Sequence, residues 1–158
     1  MTQDTKISNI LVVCMGNICR SPTMEAVLKA KIKAKGLSVN IDSAGTINYH
    51  EGNAPDRRSV KAGERRGYRF SNIRSRQVRP EDFEVFDLIL CADKLNFEDL
   101  KSVCSPQYQY KIQLFLDYAN DEVKEVPDPY YGEGDGFELV LDLIERASDN
   151  IIKRLLTA

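Results

Sequence analysis

The sequence predicts an α/β protein of one domain, residues 1–158, in which a central four-stranded parallel sheet carries helices on both faces. Two observations support this prediction. Short apolar segments alternate along the chain with segments whose apolar residues recur at helical spacing, which is typical of the strands and helices of a parallel sheet. The first apolar segment, Ile10-Leu11-Val12-Val13, is apolar at every position, as expected of a strand buried on both faces.

The other elements follow in order along the chain. A first helix is predicted to begin at Ser21-Pro22, because serine is a good N-cap residue and proline fits the first helical position, and to end at Gly36. Further strands are predicted at 37–43, 87–92 and 111–116. Further helices are predicted at 55–66, from Pro80, at 93–103 and, after a long loop at 117–136, from Phe137 onward. The loop between the first strand and the first helix lies at the carboxyl end of a strand, where ligands bind in such sheets.

Composition excludes several classes of protein. No apolar run approaches the roughly 20 residues that span a bilayer, and residues 1–8 lack the apolar core of a secretory signal, so we expect a cytoplasmic protein with no membrane partner. Four scattered cysteines and one histidine favour neither a disulfide scaffold nor a metal site. With a net charge of −2 we expect no nucleic-acid partner. We also expect no cofactor, and a monomer or weak dimer.

The charge is nevertheless unevenly distributed. Residues 57–79 hold nine basic side chains and one acidic one, Glu64, whereas residues 80–158 hold eighteen acids and seven bases. Either a solvated basic face is balanced by an acidic one, or the basic segment attracts anionic substrates.

Residues 14–20 have the composition of an anion-binding loop. A seven-residue loop that enters a helix can point its backbone N–H groups at an anion, and Gly16 permits the necessary turn. Arg20 offers a planar fork of donors to two phosphate oxygens, and Cys14 inside such a ring is expected to be a nucleophilic thiolate at neutral pH. The alternative is an inert cysteine at a strand end, but the Cys-x5-Arg-Ser spacing favours a functional one.

The segment Val13-Cys14-Met15-Gly16-Asn17-Ile18-Cys19-Arg20-Ser21-Pro22 resembles the active-site signature of low-molecular-weight protein tyrosine phosphatases. The resemblance continues at 42–46, at 76–77 and at 128–132, and so covers nearly the whole chain. It implies hydrolysis of phosphotyrosine in proteins, and of small aryl phosphates, through a phosphocysteine on Cys14, with inorganic phosphate as product. In this resemblance Arg20 holds the phosphate, and Asp128 is the general acid and base. Asp128 taken alone could instead be a turn residue of its Asp-Pro pair.

The resemblance also implies roles for the residues around these three. The phosphate-binding loop comprises Met15, Gly16, Asn17, Ile18, Cys19, Arg20 and Ser21, and the residues that support it are Asn17, Ser21 and Ser43. The substrate cleft is expected to include Ile18, Tyr49, Tyr130 and Tyr131. Cys19 is expected to protect Cys14 from oxidation by forming a reversible disulfide. Many family members have a histidine where Ile73 stands here, and the sequence leaves open what replaces it and whether Tyr130 or Tyr131 is itself phosphorylated.

Three other functions remain open at the level of the sequence. A thioredoxin-coupled arsenate reductase has a similar fold and loop but needs further reactive cysteines, for which only Cys91 and Cys104 are available. A protein-arginine phosphatase of the same fold resembles the chain except at Ile18, where threonine is typical. A phosphate-binding or phosphocarrier domain would not need an acid such as Asp128.

Overall fold

The structure, a computed structural model, describes residues 7–119, 122–129 and 136–157. Four strands form one parallel sheet: β1 (Asn9–Cys14), β2 (Asn40–Gly45), β3 (Leu88–Cys91) and β4 (Ile112–Leu114). Their order in the sheet is β2-β1-β3-β4, so β1 is a central strand that pairs with β2 on one side and with β3 on the other. The predicted four-stranded parallel sheet is confirmed.

Helices cover both faces of this sheet, as the sequence predicts. They are α1 (Arg20–Ala34), α2 (Arg57–Arg65), α3 (Pro80–Val85), α4 (Lys94–Val103) and α5 (Gly136–Thr157). Alternate residues of β1 enter different cores: Ile10 and Val12 pack with side chains of α1 and α5, whereas Leu11 and Val13 pack with side chains of α3 and α4. All four are fully buried, which explains why this strand is apolar at every position.

Several element boundaries differ from the prediction by one or two residues, and three differences have a clear physical reason. β2 begins at Asn40 rather than at residue 37, because the N–H of Leu37 bonds to the carbonyl of Ile32 and closes α1. β4 is only three residues long, because residues 106–111 and 115–119 form 3₁₀ turns. Ser21 is not the N-cap of α1: the helix begins at Arg20 after Cys19, and the Ser21 hydroxyl turns inward.

The fold places the loop after β1 at the carboxyl edge of the sheet. Cys14 is the last residue of β1 and stands beside Gly45, the last residue of β2. Beyond these residues the carbonyl of Cys14 accepts from the N–H of Thr46, and the carbonyl of Val13 accepts from the N–H of Ala92. In the described part of the chain, no helix combines the length and the apolar character needed to cross a membrane.

Candidate active site

A pocket of about 190 Å³ opens at this carboxyl edge. Its wall is formed by the loop after β1, by residues 47–50 that follow β2, and by one acid from the segment before α5. The lining residues are Cys14, Met15, Gly16, Ile18, Cys19, Arg20, Ile47, Tyr49, His50 and Asp128. Three segments distant in sequence therefore meet around one cavity.

Cys14 is buried at the base of the pocket with hydrogen-bonding groups directed at its sulfur. Its Sγ lies 3.1 Å from the Ser21 Oγ and accepts a weaker bond from the Ser21 N–H at 3.4 Å. Both groups belong to the first turn of α1, where the partial positive charge of the helix dipole is located. This environment stabilises a negative charge on the sulfur.

Asn17 holds the loop in shape. The residue is buried, and its backbone is in the left-handed region with φ of 58°, a conformation that asparagine tolerates better than most residues. Its Nδ2 donates to the hydroxyl of Ser21 at 2.8 Å and to that of Ser43 at 3.0 Å, and its Oδ1 accepts from the N–H of Arg76 at 3.0 Å. The predicted support residues Asn17, Ser21 and Ser43 thus form one hydrogen-bonded group.

The structure shows how the loop is supported although isoleucine stands at position 73. Ile73 is buried in a small apolar cluster with Phe70 and Ala26, and it makes no polar contact with the loop through its side chain. The acceptor of Asn17 is satisfied by the backbone of Arg76 instead. The guanidinium of Arg76 is itself fixed by Asp82 at 2.9 Å and by Asp42 at 3.1 Å. A backbone donor on an anchored residue therefore satisfies the acceptor of Asn17, which answers the question that the sequence left open at Ile73.

Two further supports were not identified from the sequence. Glu25, only 3% exposed, accepts from the Ser43 hydroxyl at 2.5 Å and pairs with Lys29. Ser75 donates its hydroxyl to the carbonyl of Gly16 at 2.9 Å. For Glu25 the available signal was a carboxylate on a helix face otherwise occupied by buried residues. A buried carboxylate requires a partner in the folded protein.

Arg20 is nearly fully buried, and its charge is balanced by an acid that the sequence analysis also missed. Its Nη1 forms an ion pair with Asp93 at 2.7 Å and donates to the carbonyl of Val126 at 3.1 Å. Burial by itself disfavours the charged guanidinium, but the sulfur of Cys14 together with Asp93 and Asp128 raises the pKa of Arg20 above its usual value. Asp93 lies two residues beyond the end of β3, at the carboxyl edge of the sheet, and this position was the available signal for its role.

Asp128 lies at the mouth of the pocket. Its side chain is 38% exposed, and its Oδ2 is 3.7 Å from the Nη2 of Arg20. Tyr49 is 82% exposed and stands edge-on to His50 at 5.0 Å between ring centroids. His50, which the sequence analysis did not select, packs so closely on Gly16 that a β-carbon there would lie 2.9 Å from its ring. Tyr130 and Tyr131, predicted in the cleft, lie outside the described residues.

The four cysteines are free thiols in different environments. Cys19 lines the same pocket as Cys14, and burial, with smaller contributions from Asp56 and Cys14, raises the pKa of its thiol to about 12. Cys91 is fully buried and donates to the carbonyl of Gln113, and Cys104 is buried in the core beneath α3 and α4. Among the residues that the structure describes, no group of side chains is arranged to hold a metal ion.

Comparison with known proteins gives a consistent result. Residues 9–158 match the family model described as low molecular weight phosphotyrosine protein phosphatase. A Synechocystis protein that carries the name of this family is 47% identical over 150 residues, which are 92% of this chain and 95% of the relative. The human low molecular weight phosphotyrosine protein phosphatase is 41% identical over 136 residues, 84% of this chain and 85% of that protein. A crystal structure of a protein tyrosine phosphatase from Entamoeba histolytica with Hepes in its active site superposes with a TM-score of 0.91 at 44% identity, covering 95% of this chain and 97% of that one.

Proposed function

The chain belongs to the low molecular weight phosphotyrosine protein phosphatase family and is a phosphotyrosine phosphatase, and we propose that it acts through a phosphocysteine formed on Cys14. One observation carries this mechanism. The sulfur of Cys14 accepts hydrogen bonds at the N-terminus of α1, in a pocket that also contains the guanidinium of Arg20 and the carboxyl group of Asp128. A nucleophile, an anion clamp and an acid therefore face one cavity.

In the first step the Cys14 thiolate attacks the phosphorus of phosphotyrosine in line with the bond to the phenolic oxygen. The S–P bond forms as the P–O bond breaks, and Asp128, in its protonated form, donates its proton to the leaving oxygen. The guanidinium of Arg20 and the N–H groups of the loop hold the three equatorial oxygens, where negative charge accumulates. The exposed position of Asp128 at the pocket mouth suits an acid that must reach a leaving group on the solvent side.

In the second step a water molecule attacks the phosphocysteine. Asp128, now ionised, accepts a proton from this water, and inorganic phosphate leaves as the thiolate is restored. The Ser21 hydroxyl, 3.1 Å from the sulfur, donates to the departing thiolate. Asn17, which also donates to Ser43, orients that hydroxyl, and Ile18 and Tyr49 form walls for the phenyl ring. The resemblance adds Tyr130 and Tyr131 to this proposal, although both lie outside the described residues.

The surroundings of the other cysteines argue against arsenate reduction. A cysteine relay needs thiols that approach Cys14, but Cys91 and Cys104 are buried outside the pocket wall, and burial raises the pKa of both thiols. Arginine phosphatase activity is disfavoured by Ile18, which supplies an apolar wall and no hydroxyl.

We also propose a reducing, cytoplasmic location and redox control of the site. The mechanism requires Cys14 to remain a free thiol, and all four cysteines are free here. Peroxide would oxidise Cys14 first, because burial keeps the Cys19 thiol protonated at neutral pH. Cys19 in the same pocket wall would then trap the sulfenic acid as a disulfide with loss of water.

The test compares Cys14→Ser with Cys104→Ser, a buried cysteine outside the pocket. We expect Cys14→Ser to lose hydrolysis of p-nitrophenyl phosphate and phosphotyrosine peptides while it still binds inorganic phosphate, because Arg20 and the loop amides remain. Cys104→Ser should keep most of the activity, and EDTA should leave the wild-type rate unchanged. Activity of Cys14→Ser within tenfold of wild type would refute the assignment.

A further inference from the structure

A second, larger cavity of about 710 Å³ lies along α2. Pro55 and Phe70 are buried and form an apolar floor, and basic side chains stand on the rim. We call this cavity the basic groove. Its lining comprises Ala54, Pro55, Arg57, Arg58, Val60, Lys61, Glu64, Phe70, Ser71 and Arg74. Four cations therefore surround one carboxylate, that of Glu64.

The positive charge of α2 is neutralised more fully at its C-terminal end than at its N-terminal end. At its C-terminal end Arg66 pairs with Glu138, Asp142 and Glu145, all on α5. Arg65 also pairs with Glu138, at 3.2 Å. The acidic C-terminal helix thus balances the end of α2 that lies away from the phosphate-binding loop.

The part of α2 nearer the active site keeps two cations that form no ion pair within the described residues. Arg58 is paired with Asp56 and lies over the ring of Phe137. Arg57 and Lys61 are exposed and form no ion pair within the described residues, and Arg74 donates only to the carbonyl of Ile73. Three exposed cations on the rim are therefore available to an outside anion.

Both sides of the groove are hydrogen-bonded directly to the phosphate-binding loop. On one side the N–H of Asp56, the N-cap of α2, donates to the carbonyl of Ile18 at 2.7 Å. On the other side Ser75, next to Arg74, donates its hydroxyl to the carbonyl of Gly16 at 2.9 Å. The groove therefore begins at the outer wall of the active-site pocket, and Lys61 lies about 6 Å further along α2 than Arg57.

We propose that the basic groove binds an acidic segment of the substrate protein close in sequence to its phosphotyrosine. This inference rests on the proposed function and adds a substrate class to it: phosphotyrosine flanked by aspartate or glutamate. The nine residues of α2 extend about 13 Å, a distance that about four residues of extended peptide span. Acidic side chains of that segment would meet Arg57, Lys61 and Arg74, and an apolar one would pack on Phe70.

The test measures kcat/KM of the whole protein on three phosphotyrosine peptides, whose flanking residues are acidic, neutral or basic, and on p-nitrophenyl phosphate, which has no flanks. The test variant is Arg57→Gln/Lys61→Gln. The matched control is Lys33→Gln/Lys35→Gln, which removes the same charge at the far end of α1. Wild type should prefer the acidic peptide, and 0.5 M NaCl should remove the preference. Arg57→Gln/Lys61→Gln should lose roughly 3- to 10-fold on the acidic peptide, as expected for two exposed ion pairs, and less than about 2-fold on the neutral one.

A charge reversal makes the test specific. Arg57→Glu/Lys61→Glu should prefer the basic peptide over the acidic one. The inference is overturned if wild type shows no acidic preference, if the Lys33/Lys35 variant loses it equally, or if reversal does not invert it. These outcomes are distinguishable from a failure of the proposed function, because p-nitrophenyl phosphate reports the catalytic step alone. If wild type does not hydrolyse p-nitrophenyl phosphate, the mechanism is refuted. If wild type hydrolyses it but shows no preference among the peptides, only the role of the basic groove is refuted.

Discussion

Some residues of the site supply neither the nucleophile nor a charged group that holds phosphate. Among them, Asn17 should be the most damaging to replace by alanine. The change removes three hydrogen bonds at once: those to Ser21, Ser43 and the N–H of Arg76. It also places alanine at a φ of 58°, where the β-carbon is crowded. Because the group is buried, water cannot replace the lost partners without a rearrangement of the loop.

The expected cost follows from these contacts. Three hydrogen bonds at about 0.5–1.5 kcal/mol each give about 1.5–4.5 kcal/mol, and the left-handed backbone adds about 1 kcal/mol. For a chain of this length the total corresponds to a decrease in Tm of about 10 °C. Activity should fall with stability, because the Ser21 hydroxyl that contacts the Cys14 sulfur loses one of its donors.

Urea unfolding of two companion variants separates these contributions. Asn72 also has a positive φ, 68°, but it is exposed and has no side-chain hydrogen bond among the described residues, so Asn72→Ala should cost only about 1 kcal/mol. Asn17→Gly, which is free of the backbone strain, should be destabilised less than Asn17→Ala. Asn17→Ala no more destabilising than Asn72→Ala would refute the role given to the three hydrogen bonds, and Asn17→Gly less stable than Asn17→Ala would refute the strain.

Further substitutions test the remaining roles at the site. Asp128→Asn should lower kcat by roughly 10²–10⁴ for aryl phosphates with poor leaving groups, and far less for good ones that depart without a proton; an equal loss for both would make Asp128 structural. Ile18→Thr should raise the ratio of phosphoarginine to phosphotyrosine hydrolysis, and a wild type that already prefers phosphoarginine would contradict the reasoning. Cys19→Ser should keep most of its activity but lose it irreversibly in peroxide, whereas wild type should recover in reductant with a Cys14–Cys19 disulfide mapped by mass spectrometry; full recovery of Cys19→Ser would exclude the protective role.

The parts of the fold that sequence predicted are those encoded locally. A run of four buried residues specified β1, and the Cys-x5-Arg spacing specified a loop that closes on itself, so both needed only neighbouring residues. The prediction that Ser21 is the N-cap of α1 was wrong because it also used neighbouring residues alone. Local rules favour serine as an N-cap, but contacts with Cys14 and Asn17 across the loop determine where its hydroxyl points.

The residues that sequence reasoning missed make contacts between distant segments. Asp93 meets Arg20 across 73 positions, and Ser75 meets Gly16 across 59. The position of Asp93 after β3 was a signal, but it suits an ordinary helix N-cap equally well, and Asp93 is also an N-cap, since it accepts from the N–H of Asn96. The basic segment illustrates the same limit, because only the folded structure, including the position of α5, reveals which of its cations are neutralised.

The central position of β1 has a consequence for the synthesis of the protein. The loop after β1 leaves the ribosome before the segments that support it, because β1 needs β2 and β3 on its two sides, and the buried charge of Arg20 needs Asp93 and the carbonyl of Val126. A nascent chain that ends before Val126 lacks one of these partners and cannot yet hold the pocket in shape. Hydrolysis of an aryl phosphate by this protein is therefore a direct report that translation has passed Val126 and that these distant segments have folded together.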